Sequence, residues 1–210
     1  MWPCPDNAGM PANLTEEIAI AAARLVVEEG MEYPAAKTRA ARDLGRRSAR
    51  QGELPSNEQL EDEVRSHIEL FCADTQPGEL QALREVALQW MQRMGEFRPH
   101  LSGAAWRGTA TRWSAVHLDL YCDDPKAAEI MLVNADVDYD VGSIDRHGAE
   151  PVNVLTVGQR SAALGEVVSV HLFLRDLDEQ RGALKPDARG RSWRGDLPAL
   201  QRLMAAEAAP

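Results

Sequence analysis

Hydrophobic residues between positions 13 and 96 recur at the spacing of amphipathic helices, and four helices are predicted there. Asn13 followed by Glu16 indicates a capping box at the start of the first helix, and Gly30 marks its end. The apolar stripe of this helix lies at positions 18, 21, 22, 25 and 26. Repeated apolar faces of this kind predict a helical bundle in the first part of the chain.

The other three helices are marked mainly by residues at their ends. Pro34 suits the first turn of the second helix, which stops at Gly45. Ser56 with Gln59 predicts a capped start for the third helix, and Pro77 opens the fourth. Trp90, Met91 and Met94, in the last part of the fourth helix, are predicted to lie in a core or a domain interface.

The pattern changes from helical to alternating near Arg98. The segment 115–123 alternates, so that Val116, Leu118, Leu120 and Cys122 face one way while His117, Asp119 and Tyr121 face the other. Alternating, Val-rich segments predict three later strands at 137–144, 151–158 and 166–174. A short strand at 99–103 and helices at 124–135 and 195–204 complete the prediction.

These elements predict an α+β fold in which an N-terminal helical bundle is followed by a mixed sheet with flanking helices. The second half has the character of an α/β domain, since helices alternate with its strands. The predicted parts are a flexible arm at residues 1–12, a helical domain at 13–96 and a sheet domain at 97–210.

Composition narrows the class of protein. The chain has 210 residues, a net charge of −10 and three widely spaced cysteines, which predict reduced thiols and not a metal finger. Its first residues lack the basic and apolar regions of a signal peptide, and no apolar run reaches the length of a membrane helix. We therefore expect a cytoplasmic protein with no membrane partner.

One segment is basic, although the chain as a whole is acidic. Residues 37–50 contain six cations and a single acid: Lys37, Arg39, Arg42, Arg46, Arg47 and Arg50 against Asp43. A solvated basic face, or one paired with the excess acid of the chain, is the simpler interpretation. Nucleic-acid binding through this segment is the alternative, although an acidic protein does not attract phosphates through its overall field.

The segment Leu101–Asp123, LSGAAWRGTATRWSAVHLDLYCD, combines a short strand, a glycine turn, a second glycine five residues later and a longer strand. This order, and the order of elements over the next fifty residues, resembles the minimal nucleotidyltransferases of the DNA polymerase beta superfamily. The whole chain also resembles bacterial proteins of similar size that carry a helical first half and this His-containing strand. The resemblance implies transfer of a nucleoside monophosphate from an NTP, with Mg²⁺ or Mn²⁺ as the cofactor.

The resemblance also implies residues that contact phosphate. Gly103 takes the position of the first family glycine, Ala104 that of the serine beside it, and Gly108 that of the second glycine. Ser114 takes the position of the signature serine, and Arg107 lies where smaller members carry an arginine. In the family, the glycine turn approaches the triphosphate, and the arginine is implied as a phosphate clamp.

The metal ligands of the family are changed in this chain. The two aspartates of the family strand fall on Ala115 and His117, and alanine cannot bind a metal. His117 and Asp119 share a strand face and form an altered pair of catalytic and metal-binding candidates, able to hold Mn²⁺ or Zn²⁺. The plain alternative is a satisfied strand histidine beside a solvated aspartate.

A third acid is expected in the family from a later strand. Asp140 is the candidate metal ligand, with Asp138 and Asp176 as the other acids within reach of the later strands. Ser169, His171 and Phe173 on the last strand share one face. That face carries no acid before Asp176, which is a second departure from the family pattern.

Three functions remain open from the sequence. The first is a nucleotidyltransferase whose activity is weak or lost because the aspartate pair is replaced, which would make it a pseudoenzyme. The second is a non-catalytic nucleotide-binding or adaptor protein. The third is a nucleic-acid-binding regulator that uses the segment 37–50. The sequence names neither the nucleotide nor the acceptor.

Overall fold

The structure is a computed structural model, and it describes residues 14–45, 54–146, 149–187 and 190–207. The described residues divide into two compact units, the first ending at Phe71 and the second beginning at Cys72. The helices are α1 (Leu14–Glu29), α2 (Tyr33–Asp43), α3 (Asn57–Phe71), α4 (Gln76–Arg93), α5 (Gly103–Arg107), α6 (Pro125–Asn134) and α7 (Leu197–Glu207), with 3-10 turns η1 (Gly95–Phe97) and η2 (Leu177–Gln180). The strands are β1 (His100–Ser102), β2 (Val116–Cys122), β3 (Asp140–Arg146), β4 (Ala149–Arg160), β5 (Val167–Asp176) and β6 (Arg194–Asp196).

The first unit packs α1 against α2 and α3. Many of the buried positions of α1 and α2 are alanines, whose short side chains let helix axes approach closely. The predicted capping box of α3 is present: the Ser56 amide donates to Gln59 Oε1 at 2.8 Å, and the Gln59 amide donates to Ser56 Oγ at 3.0 Å. Asn13, the predicted cap of α1, lies outside the described residues.

The described part of the basic segment is already bonded within the first unit. Lys37 is buried and donates to Pro55 O and Asn57 Oδ1, each at 2.7 Å. Burial lowers the pKa of the Lys37 ammonium. Arg39 forms an ion pair with Glu29 at 2.5 Å, and residues 46–50 lie outside the described residues. Arg39 and Arg42 are thus paired with acids, as the simpler interpretation expects, whereas Lys37 is held by neutral oxygens.

Helix α4 belongs to the second unit, which begins at Cys72. The sequence placed the domain boundary after residue 96, and the structure places the division 25 residues earlier because α4 packs on the sheet. Trp90 and Met91 of α4 join the same core as Leu118 and Val170 of the sheet. An amphipathic helix has the same sequence pattern whether it packs on other helices or on a sheet. The pattern of α4 therefore did not show to which unit the helix belongs.

The sheet has six strands in the order β3-β4-β5-β2-β1-β6. The pair β2 and β5 is parallel and the other pairs are antiparallel, so the predicted mixed sheet with flanking helices is confirmed. The short strand β6 was not anticipated in the sequence. No helix among the described residues is long and apolar enough to cross a membrane.

Strand β2 is buried on both faces. Val116, Leu118 and Leu120 are fully buried in the core, as their alternation predicted. On the opposite face Asp119 and Tyr121 are each only 1% exposed. The expectation of a solvated aspartate is therefore wrong, since neighbouring strands and their long side chains cover this face of β2.

Candidate functional site

The turn between β1 and α5 carries the first predicted phosphate contact, Gly103. Its φ of +69° is a left-handed conformation that favours glycine. A Cβ at this position would lie 3.0 Å from His117 Nδ1, which is tighter than ordinary van der Waals contact. Two predicted site residues therefore meet, and the imidazole occupies the space that a side chain at Gly103 would need.

The second glycine and the signature serine organise the next loop. Gly108 ends α5 at a φ of +81°, and its carbonyl accepts from Gln76 Nε2 at 3.1 Å. Ser114 closes a turn on Thr111, since Ser114 Oγ accepts from the Thr111 amide at 3.0 Å and the Ser114 amide donates back to Thr111 O at 2.8 Å. These contacts fix the conformation of the loop that leads into β2.

Helix α5 is held by Arg84, which the sequence did not single out. Arg84 is 2% exposed, and its Nε donates to Ala105 O at 2.8 Å. Its guanidinium also forms an ion pair with Glu207 of α7. This arginine fixes the position of α5, including Ala104, which lies partly buried against the core beside Gly103.

Arg107, the predicted phosphate clamp, lies on an aromatic ring. Its guanidinium carbon is 5.6 Å from the centroid of Trp193, and that of Arg191 is 5.9 Å from the same ring. Both distances are in the range of cation–π contacts. The structure thus places Arg107, the last residue of α5, against the segment that leads into β6.

Polar and aromatic residues form a row across the sheet. Strand pairing aligns His117 with His171, His171 with Thr156, and Thr156 with Asp140. The ring centroids of His117 and His171 lie 5.4 Å apart, and Phe173 lies 5.3 Å from His117. Thr156 Oγ1 lies 2.9 Å from His171 Nδ1. The predicted shared face of His171 and Phe173 is confirmed, and with His117 they form a partly buried cluster that we call the ring cluster.

Asp119 is bound by two arginines. Its Oδ1 accepts from Arg175 Nε, and its Oδ2 lies 3.1 Å from Arg194 Nη1. Arg194 Nη1 also donates to Tyr121 Oη at 2.6 Å. Burial, and then the negative charge of Asp119, raises the pKa of Tyr121 above its ordinary value. The buried carboxylate is therefore neutralised from both sides.

The acids predicted as a third metal ligand do not join this group. Asp140 lies three strands from β2, which is about 14 Å at the usual strand spacing. Asp138 is exposed ahead of β3. Asp176 is aligned with Cys122 and accepts from the Asp178 amide at 2.8 Å. Because the ends of β5 and β3 are set by pairing, these acids stay apart from Asp119.

The donor set does not fit the Mg²⁺ or Mn²⁺ that the family resemblance implies. Across the described residues, no three His, Cys, Asp or Glu side chains lie close enough to hold a metal ion. His117 faces Gly103 and the other two rings of the ring cluster, and Asp119 faces two guanidinium groups. Hard cations need several oxygen ligands, and the carboxylate of Asp119 is already paired with two guanidinium groups.

The residues of this site that were not predicted from the sequence are mainly arginines. Arg175 continues the alternation of His171 and Phe173 on β5, so that pattern could have placed it on the same face. Arg194 lies in a strand of three residues, which is too short to produce a periodic signal. Its pairing with β1 brings it to the face of β2 that Asp119 occupies.

Comparisons with known proteins give little beyond this geometry. No family model matches the chain, and no curated protein matches it. Among solved structures, the chain is similar to the Cid1 poly(U) polymerase with MgGTP bound, at a TM-score of 0.35 and 11% identity over 52% of this chain. The matched part spans 38% of that protein. A likeness of this size supports no statement about function.

Proposed function

We propose that this chain is a nucleotidyltransferase-like protein in which metal-dependent transfer is weak or lost, and that its sheet face binds a nucleotide without a metal ion. The observation that carries the proposal is the double ion pair of Asp119 with Arg175 and Arg194. This carboxylate is the acid nearest to the position where the resemblance requires metal ligands.

The ion pairs oppose metal binding for two reasons. A metal would have to displace guanidinium groups from a side chain that is 1% exposed, which would take its buried partner from Arg194 and leave Arg175 with Glu179 alone. The arginines would also repel a divalent cation at short range. Metal-dependent chemistry at Asp119 therefore requires a rearrangement of the whole network.

The ring cluster supports the nucleotide part of the proposal. His117, His171 and Phe173 present partly buried rings on one face, and a base stacked on such rings gains about 1–3 kcal/mol. Arg107 supplies a guanidinium on a nearby element, which is suited to bind phosphate oxygens. Neither contact requires a metal ion.

The test is thermal unfolding of the full chain with each NTP, with and without Mg²⁺ or Mn²⁺. A ligand at about 100 times its Kd adds about 2.7 kcal/mol to the free energy of unfolding, which corresponds to a few degrees. We expect the same shift with and without metal for at least one NTP. Phe173→Leu should reduce the shift, whereas Arg202→Ala, an exposed change on α7, should leave it unchanged.

Two outcomes would overturn the proposal. A shift that requires metal, together with transfer of a labelled nucleoside monophosphate that Asp119→Asn abolishes, would show an active enzyme. Absence of any shift at millimolar NTP would remove nucleotide binding from this face.

A further inference from the structure

A pocket of about 710 Å³ lies beside η2, and its described lining contains none of the residues of the ring cluster. It is formed by Arg98 and His100 around the start of β1, and by η2 and the turn after it. Because η2 follows β5, the pocket lies where the parallel strands β2 and β5 reach their carboxyl ends. Ligands of sheets with parallel strands commonly bind at this end.

The charge of this pocket is opposite to that of the chain. Its described lining contains the cations Arg98, Arg181 and Lys185 and one acid, Asp178. The whole chain carries a net charge of −10. A cleft lined mainly by one sign of charge focuses the electric field and attracts ligands of the opposite sign, so this lining favours an anionic ligand.

The cations are held in place by the local backbone. Arg98 adopts a left-handed conformation with φ of 47°, which is uncommon for a residue other than glycine, and its Nη1 donates to Gln180 Oε1 at 3.0 Å. The Lys185 amide donates to Gly182 O at 3.0 Å, and a Cβ at Gly182 would lie 3.3 Å from the Lys185 side chain. This turn therefore places the aliphatic part of the Lys185 side chain over the backbone at Gly182.

His100 adds a buried group with one ring nitrogen already assigned. It is 3% exposed and lines the pocket, and its Nδ1 lies 2.8 Å from Arg98 O, a carbonyl that can only accept. Nδ1 therefore donates the proton of this hydrogen bond, and Nε2 is the ring nitrogen that does not bind the Arg98 carbonyl. The Tyr121 ring packs against His100 at 5.0 Å in an edge-on arrangement that fixes the imidazole plane.

The rest of the lining includes the apolar residues Leu177, Leu184 and Pro186, together with Gly182 and the amide of Gln180. The volume is within the range of small-molecule sites. Three cations and an imidazole suit a phosphate group, and the apolar residues suit an organic part. We infer that this pocket binds a small organic phosphate ester, with the phosphate on Arg98, Arg181 and Lys185.

The test is calorimetric titration of the full chain with phenyl phosphate. Phenol, which lacks the phosphate, and inorganic phosphate, which lacks the organic part, are titrated alongside. We expect phenyl phosphate to bind more tightly than inorganic phosphate and phenol not to bind. The double variant Arg181→Ala with Lys185→Ala should weaken binding of phenyl phosphate at least tenfold. Both side chains are exposed, so the variant should fold normally.

Control variants separate this inference from the proposed function. Arg202→Ala removes a cation elsewhere, and Phe173→Leu alters the ring cluster, so neither should change the affinity for phenyl phosphate. Unchanged binding in the double variant, equal binding of phenol, or no binding at millimolar phenyl phosphate would each overturn the inference. Loss of binding in Phe173→Leu would also overturn it, because the ligand would then lie on the sheet face.

Discussion

At the scale of single residues, several candidate positions of the site have contacts within the chain that explain their residue type. Gly103 makes room for His117, Ser114 closes a turn on Thr111, and Asp119 balances two arginines. A glycine that a ligand requires and a glycine that a neighbouring side chain requires look the same in a sequence. Substitutions can separate the two, because the second kind affects stability without any ligand.

We expect Gly103→Ala to lower the free energy of unfolding by about 1–3 kcal/mol, because the left-handed backbone and the contact with His117 both oppose a Cβ. Gly78→Ala is the matched control. Gly78 lies in the first turn of α4 with no atom within 4 Å of an added Cβ, and this change should be neutral or stabilise by up to about 1 kcal/mol. Urea unfolding of both variants measures the difference.

His117→Ala separates the two causes at Gly103. This change removes the imidazole and leaves the backbone strain, so Gly103→Ala should cost less in that background. A Gly103→Ala variant as stable as the parent protein would show that the glycine is not needed for packing, and would favour a role in ligand contact instead.

At the scale of elements, α5 and β6 fit together through a glycine. A Cβ on Gly195 of β6 would lie 2.1 Å from Cη2 of Trp106 on α5. The same indole donates from Nε1 to Ser192 O at 2.8 Å. The aromatic plane therefore lies directly on the backbone of β6, and α5 is fixed between this strand and Arg84.

We expect Gly195→Ala to destabilise the second unit by about 1–3 kcal/mol or more, since the added methyl group forces the indole to move. The change should also alter tryptophan fluorescence. Gly142→Ala in β3 is the control, because the nearest atom to its added Cβ is 4.0 Å away. In a Trp106→Leu background Gly195→Ala should cost much less, and equal costs in both backgrounds would contradict the contact.

The elements that the sequence predicted correctly are those with local signals. The capping box of α3 and the start of the predicted helix at 124–135, where Asp124 accepts from the Lys126 amide at 2.9 Å, depend on residues two or three positions apart. The alternation of β2 and β5 is equally local. Strand β6 and the pairing of Asp119 with Arg175 depend on contacts between distant segments, which no local pattern contains.

At the scale of the whole molecule, the division after Phe71 assigns α4 to the sheet. The apolar stripe of α4 could be predicted from the sequence. Its packing partner could not, because helices and sheets both offer apolar surfaces about 10 Å away. The candidate site shows the same limit. The sequence identified the face that His117 and Asp119 share, and the structure shows that Arg175 and Arg194 are the partners of Asp119 there.

This division makes a prediction about fragments of the chain. Residues 72–210 keep α4 and should unfold cooperatively on their own, whereas residues 97–210 should not. The shorter fragment loses five large buried side chains from α4: Leu80, Leu83, Val86, Trp90 and Met91. At about 2 kcal/mol each this loss is about 10 kcal/mol, comparable with the whole stability of a typical domain. Urea unfolding followed by circular dichroism compares the two fragments. If residues 97–210 unfold cooperatively at a urea midpoint similar to that of residues 72–210, α4 belongs to the helical domain that the sequence suggested.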